Sequence, residues 1–490
     1  MTATQPGSDM PAAGMPDQDQ AQSQDQAQSR AQAQAPTPAH IPTLEEEAAA
    51  IKGAVVMPLA ASGEPGSDQT LADGDTEIRR STLPGGVRVL SQHVPATHSV
   101  GIGLWVPVGS RDETPRQAGS THFLEHLVFK GTPSRTALDI AIAFDSVGGD
   151  SNAETRKETT TYWARVLDED LDMAIDTLVD MVTSSTLGEA DFEMERGVIL
   201  DELAMSDDSP TEVVHEAFQR AVHGDNGLGR PVGGTPDAIR AVSRDDVWEH
   251  YQARYSSRDL IVTAAGSVDH DHLVEVVCAA LKRTSWDTES LVVPTERRPI
   301  APPPSAPDAG TDITNQRDVE QAHVILGCPS MRAGDPARPT MSVLLGVLGG
   351  SMSSRLFQEI REKRGLAYST YAFDSAYTDA GAFGMYAGTS PDKIDQVEEI
   401  MIDQLGSLGA DGPTEAELDR VRGQLRGGMA LGLEDNLSRM MRLGRAEIRG
   451  LHISVEESLQ RLESVTADEV RQLAAWLAAQ ERTRALVMPR

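Results

Sequence analysis

Cysteine is almost missing from this chain: Cys278 and Cys328 are the only two in 490 residues. Both sit in apolar runs, which excludes a disulfide framework and reads as two buried free thiols. Basic residues are also short, 43 Lys and Arg against 75 Asp and Glu, for a formal net charge of −32. Phosphate would be repelled by that excess, so nucleic acid is excluded as a partner, while basic peptides would be attracted. No run approaches the roughly 18 uninterrupted apolar residues of a membrane-spanning helix. The N-terminus lacks the basic and apolar regions of a signal peptide, and a cytoplasmic location is expected. Histidine is scarce too, 12 in the chain, so two of them close together carry information.

The length exceeds what one ordinary hydrophobic core serves, and two core-bearing units are expected. Residues 1–79 are rich in Gln, Ala, Pro and acidic side chains with few large apolar ones, and read as a disordered tail. A globular pattern then begins, with strands expected at Val87–Leu90 and Val100–Val108 and a helix from Gly119 to Phe129 closed by Gly131. Strand material follows over 150–167, then amphipathic helices over about 169–185 and 189–206. A proline-rich stretch, 293–317, separates this first unit (80–292) from a second (318–490). The second unit repeats the order loosely: a strand at His323–Cys328, a helix over Met341–Leu348, another from Ser354 to about Lys363, then strands at Ala367–Phe373 and Ala382–Gly388.

The most informative residues are His122-Phe123-Leu124-Glu125-His126. On a helix, His122 and His126 project from one face a turn apart, and Glu125 leans toward the same face. This H-x-x-E-H order is the inverse of the commoner H-E-x-x-H metallopeptidase pattern. Two neutral imidazoles can hold Zn²⁺, with a third protein ligand and a water completing the shell. A carboxylate that is not a ligand can take the proton of that water. Glu195 and Glu202 lie on one face of the 189–206 helix, with Val198 and Ile199 between them. By spacing alone that pair reads more readily as a solvated face than as ligands.

Several runs together resemble the pitrilysin, insulinase and mitochondrial-processing-peptidase family of zinc peptidases. They are Gly109-Ser110-Arg111-Asp112-Glu113, Gly119 through His126, Phe129-Lys130-Gly131-Thr132, Asn152-Ala153 with Thr155, and Glu195 through Glu202. The resemblance covers about residues 80–490. It implies an α+β fold of two similar halves, each a mostly antiparallel sheet covered by helices, closing a clam-like chamber. It implies one Zn²⁺ per chain on His122, His126 and Glu202, with Glu125 as general base and Glu195 in support. Asn152 and Ala153 match the edge strand that pairs with a bound peptide. The second half lacks the metal motif and would contribute Arg361 and Tyr368, which by themselves read more readily as a helix surface charge and a half-buried strand residue. The implied activity is endoproteolysis of short or unfolded peptides, in a homodimer or a heterodimer with a related chain. The alternative is a non-catalytic, substrate-presenting subunit of the same architecture.

Overall fold

The computed structural model describes residues 41–301 and 311–490. Two sheets carry the molecule. The first has seven strands, β1 (Asp68–Asp73), β2 (Thr76–Thr82), β3 (Arg88–His93), β4 (Ser99–Val106), β5 (Asp150–Thr155), β6 (Thr160–Leu167) and β7 (Ile261–Gly266). Their order is β1-β2-β3-β7-β4-β6-β5, antiparallel throughout except for β3 beside β7. The second has five, β8 (Asp312–Arg317), β9 (Ala322–Ser330), β10 (Ala367–Ala376), β11 (Gly381–Thr389) and β12 (Thr483–Pro489), in the order β10-β11-β9-β12-β8. Strand β4 is buried along almost its whole length, as its apolar run Val100 to Val106 requires of a strand covered on both faces.

The helices that matter below are α1 (Leu44–Ala50), α2 (Ser120–Leu127), α3 (Leu171–Ser184), α4 (Glu189–Asp207), α5 (Pro210–His223), α6 (Arg244–Arg254), α7 (Ile394–Asp411), α8 (Asn436–Arg449) and α9 (Ala467–Ala479). Helices α2, α3 and α4 lie on one face of the first sheet in its largest core cluster, which includes Phe123, Leu178 and Ile199. The other face is covered by α8, which comes from the second half of the chain: Met440 and Leu443 pack on Leu90, Trp105 and Ile261. The exchange is reciprocal. Helix α5, from the first half, lays Val214, Phe218 and Val222 on Ile325, Tyr386 and Val487 of the second sheet. Residues 43–490 accordingly form one compact unit.

The swap is pinned by charge. Glu447 of α8, fully buried, accepts hydrogen bonds from Arg80 at 2.9 and 3.0 Å and from Arg88 at 3.2 Å, with Arg297 at 3.4 Å. Arg111 bonds Asp379 at 2.9 and 3.0 Å, and Glu158 accepts from the Thr378 backbone, so the halves are also tied near the β5–β6 turn.

Three expectations need correction. The tail is not without structure as far as residue 79. Helix α1 starts with a capping box between Thr43 and Glu46, and β1 pairs with β2. Ile51 is buried, and Met57 and Ile78 join a cluster whose other members, such as Trp105, Ile261 and Met440, come from distant parts of the chain, so local apolar density stayed low. Residues 1–40 lie outside the described residues. The proline-rich stretch is not linker to residue 317, since Asp312–Arg317 is β8, parallel to β12; residues 302–310 are likewise not described. Gly131 is not the cap of α2, which ends at Leu127. The chain turns through Val128–Lys130 before Gly131, at φ +134°, bridges to Thr136.

Candidate metal centre

Helix α2 begins at Gly119, whose φ of +92° suits glycine and whose missing side chain leaves the helix N-terminus uncapped. Glu113 supplies the cap from outside, accepting from the backbone N–H of Gly119 at 2.8 Å and of Thr121 at 2.7 Å. Burial pushes the Glu113 carboxyl up to about 7 despite those bonds. The α2 residues that do not face the histidine–glutamate cluster anchor the helix. Phe123 stacks on Phe192 of α4 at 4.7 Å, and Arg196 of α4 lies over Phe192, also at 4.7 Å, while donating to the carbonyls of Ile239 and Val242. That stack fixes the register of α4 against α2.

In this register the donor atoms converge. His122 Nε2 and His126 Nε2 are 3.3 Å apart, and Glu202 Oε2 is 3.7 and 3.5 Å from them. A tetrahedral shell with ligand distances of about 2.0–2.1 Å has edges of about 3.3–3.4 Å, so the three atoms stand nearly at the corners that Zn²⁺ requires. Among the described residues this is the group of three or more His, Cys, Asp or Glu side chains able to hold a metal ion. Burial drives His122 down to about 4, which keeps its imidazole neutral, the form that ligates.

Glu195, 2% exposed, sits behind His126 and accepts from Nδ1 at 2.8 Å. A proton on Nδ1 leaves the Nε2 lone pair free for metal. The other Glu195 oxygen is 2.5 Å from Lys130 Nζ. Burial alone would raise this carboxyl, but the bonds from Lys130 and His126 outweigh it and hold it below its usual range. Glu125 is half-buried and makes no hydrogen bond or ion pair among the described residues. Beneath it Tyr162 and Tyr255 join hydroxyls at 3.0 Å, and burial keeps both phenols protonated, Tyr255 pushed up to about 12.

Asn152 and Ala153 lie on β5, the edge strand of the first sheet, paired only with β6. The open side of β5 therefore offers unpaired backbone groups close to α2. Arg361 and Tyr368 meet each other: the guanidinium lies over the Tyr368 ring at 4.3 Å and donates to its carbonyl at 2.9 Å. The expected α-helix around Arg361 is π-wound over Phe357–Glu362, a rare geometry that frequently occurs at functional sites. Tyr368 is 76% exposed, and neither residue bonds to the histidine–glutamate cluster.

Sequence reasoning assigned no role to Glu113, Lys130, Tyr162 or Tyr255. A signal existed for the first: a glutamate shortly before a glycine N-cap that cannot cap itself.

Comparison with known proteins bears on the same region. The family model described as Insulinase (Peptidase family M16) matches residues 88–236, and that of the Peptidase M16 inactive domain matches residues 241–425. An uncharacterized zinc protease of Streptomyces coelicolor is 47% identical over 410 residues, 83% of this chain and 89% of that protein. One from Bacillus subtilis is 36% identical over 84% of this chain and 98% of its own length. A solved protease structure from Helicobacter pylori superposes with a TM-score of 0.76 at 22% identity, over 84% of this chain and all of that one. An M16 inactive domain from Pseudomonas fluorescens gives 0.74 at 17% identity, over 86% of this chain and 98% of that one; both likenesses concern the fold.

Proposed function

The chain belongs to the insulinase (M16) family of peptidases, and from that premise we propose that it is a zinc-dependent endopeptidase acting on short or unfolded peptides. One observation carries the reading: two imidazole nitrogens and a carboxylate oxygen, 3.3–3.7 Å apart, stand one residue from a carboxylate, Glu125, that has no hydrogen-bond or ion-pair partner among the described residues. His122, His126 and Glu202 would hold one Zn²⁺ per chain, which supplies Lewis acidity toward the scissile carbonyl and lowers the pKa of a water. Glu125 takes the proton of the attacking water on its carboxylate and passes it to the leaving amine. Glu195 fixes the tautomer and orientation of His126. The open edge at Asn152 and Ala153 binds the peptide backbone by strand addition, which gives affinity with little selectivity for side chains.

Arg361 and Tyr368 serve as donors to the developing oxyanion. The exposure of Tyr368, and the absence among the described residues of any bond from either residue to the cluster of their own chain, favour delivery from a second copy in a dimer. The free thiols of Cys278 and Cys328 support a cytoplasmic enzyme. The alternative, a substrate-presenting subunit, draws on the match of residues 241–425 to a domain described as inactive.

Mass-spectrometric digestion of a mixed unstructured peptide library separates the two. Wild type should cleave, Glu125→Gln should bind zinc without turnover, and Glu202→Gln should lose zinc. Normal turnover in Glu125→Gln would reject its role, and full zinc occupancy in Glu202→Gln would reject it as a ligand. No cleavage by zinc-loaded wild type would favour the subunit.

A further inference from the structure

The second half holds a cavity that the peptidase reading does not use. It measures about 200 Å³ and lies on the face of the second sheet covered by α7 and α9. Its walls are apolar and buried: Leu326, Cys328, Phe383 and Met385 from β9 and β11, Leu405 from α7 and Leu477 from α9. The one side-chain polar group on these walls is the Cys328 thiol, engaged with the Leu477 carbonyl at 3.8 Å. The interior thus offers nothing to a polar ligand.

Two glycines of α7 explain how the space arises. A Cβ on Gly409 would meet the Ala475 backbone at 2.9 Å, so there α7 and α9 touch through their main chains. A Cβ on Gly406, one turn earlier and lining the cavity, would meet nothing within 4 Å. Glycine inside a helix costs about 1 kcal/mol relative to alanine. Close approach accounts for that cost at Gly409; at Gly406 what the glycine provides is an open mouth. The rim carries Ile402, 38% exposed, and Arg482, an exposed arginine with no hydrogen bond or ion pair among the described residues. Arg484, two residues on, is paired with Glu398 at 2.7 Å. An arginine left unpaired by the described residues at the mouth of an apolar hole is the local complement of an anionic head on an apolar tail.

We propose that this cavity binds an alkyl carboxylate, its tail between α7, α9 and the sheet and its carboxylate at Arg482. An apolar cavity of about 150 Å³ holds benzene, so the present one suits a tail of about eight carbons.

The test is methyl NMR on the full-length protein, following the Met385 methyl in the cavity wall, with octanoate as the probe. Octanol, octylamine and acetyl-leucine are the comparison ligands. Octanoate should shift the Met385 signal saturably, octanol more weakly, and octylamine most weakly. Arg482→Gln should weaken octanoate about twofold to fivefold, the range of an exposed ion pair, and leave octanol unchanged. Gly406→Phe should abolish the shift. Gly406→Leu, a milder plug, should weaken it if the phenylalanine variant fails to fold. No saturable shift in wild type, unchanged binding in a folded plugged variant, or equal binding of octylamine would overturn the proposal. Preference for acetyl-leucine would also overturn it, assigning the cavity to a peptide end. Peptidase activity does not enter the readout, so this test and that of the proposed function fail independently.

Discussion

Removing Glu195 leaves every proposed metal donor in place and takes away only what orients one of them. The carboxylate bridges His126 Nδ1 at 2.8 Å and Lys130 Nζ at 2.5 Å, and it is 2% exposed. In Glu195→Gln the amide oxygen can still accept from Nδ1, but Lys130 loses its counter-charge. In Glu195→Ala the ring also loses its acceptor and is free to rotate or change tautomer. Loss of the partner behind a metal-bound histidine typically costs 10- to 100-fold in metal affinity, or about 1.4–2.7 kcal/mol. The Lys130 side chain is 31% exposed, so water replaces part of its pairing and the glutamine variant belongs near the lower bound. Zinc Kd, measured by competition with a chromogenic chelator, should therefore rise about tenfold in Glu195→Gln and about 100-fold in Glu195→Ala. Lys130→Met should raise Kd less than either, because it keeps a charged carboxylate on the His126 bond. A purely structural role would instead lower the Tm of the metal-free protein and leave zinc Kd unchanged. That pattern, in a folded Glu195→Ala, refutes the reasoning.

Other perturbations read different parts of the molecule. Glu447→Gln strands Arg80 and Arg88, whose side chains are 0% and 2% exposed, and should cost about 3–5 kcal/mol. At about 2–4 °C per kcal/mol for a large domain, Tm should drop by roughly 6–20 °C, and an unchanged melt would refute the buried network. His223, His250 and His452 are each driven down to about 4 by burial, whereas the unfolded chain titrates near the ordinary 6.5. Between those values the unfolded state binds more protons. Stability should therefore be flat in these groups above about pH 7 and fall toward pH 4, by up to about 1.4 kcal/mol per pH unit for each histidine. Denaturant titrations of wild type and His250→Gln check this, and identical pH slopes for the two would exclude His250 as a contributor. Finally, Glu125→Gln and Arg361→Ala should each be inactive alone. After subunit exchange in a symmetric dimer their mixture should recover about a quarter of wild-type activity, since half the dimers are mixed and one site in each is intact. No recovery, with exchange verified, rejects delivery of Arg361 from a second copy.

What could be read from the sequence followed the range of the interactions involved. The H-x-x-E-H helix and the 189–206 helix were legible because both halves of each signal sit within a few turns. Histidine is rare enough for an i,i+4 pair to stand out, and Glu195 and Glu202 share one face by periodicity alone. Reading Glu202 as a ligand and Glu195 as its support, over a solvated face, needed something beyond periodicity. The resemblance supplied it, and the Phe123–Phe192–Arg196 stack is the contact that holds α4 against α2 in the register that brings both carboxylates to the histidines.

The exchange of helices was invisible for a related reason. An amphipathic pattern in α5 or α8 states that one face is buried, never by which sheet, and the contacts that decide it span hundreds of residues. Glu447 reads as a surface charge in its own helix and is a fully buried carboxylate only because Arg80 and Arg88 meet it from the other half. The same limit explains the 41–79 segment, whose few apolar residues pack on surfaces made elsewhere. The π-turn that presents Arg361 escapes for a different cause, since nothing in Phe357–Glu362 departs from an ordinary helical composition. Chemistry proved local and assembly did not: the atoms that would hold zinc and move a proton lie on two neighbouring helices. The edge strand, which would bind a peptide, and the Arg361–Tyr368 pair, proposed above to act from a second copy, sit on different halves of the chain, so their use depends on assembly. Variants that loosen the helix exchange, such as Glu447→Gln, should accordingly retain zinc at temperatures where they no longer bind peptide.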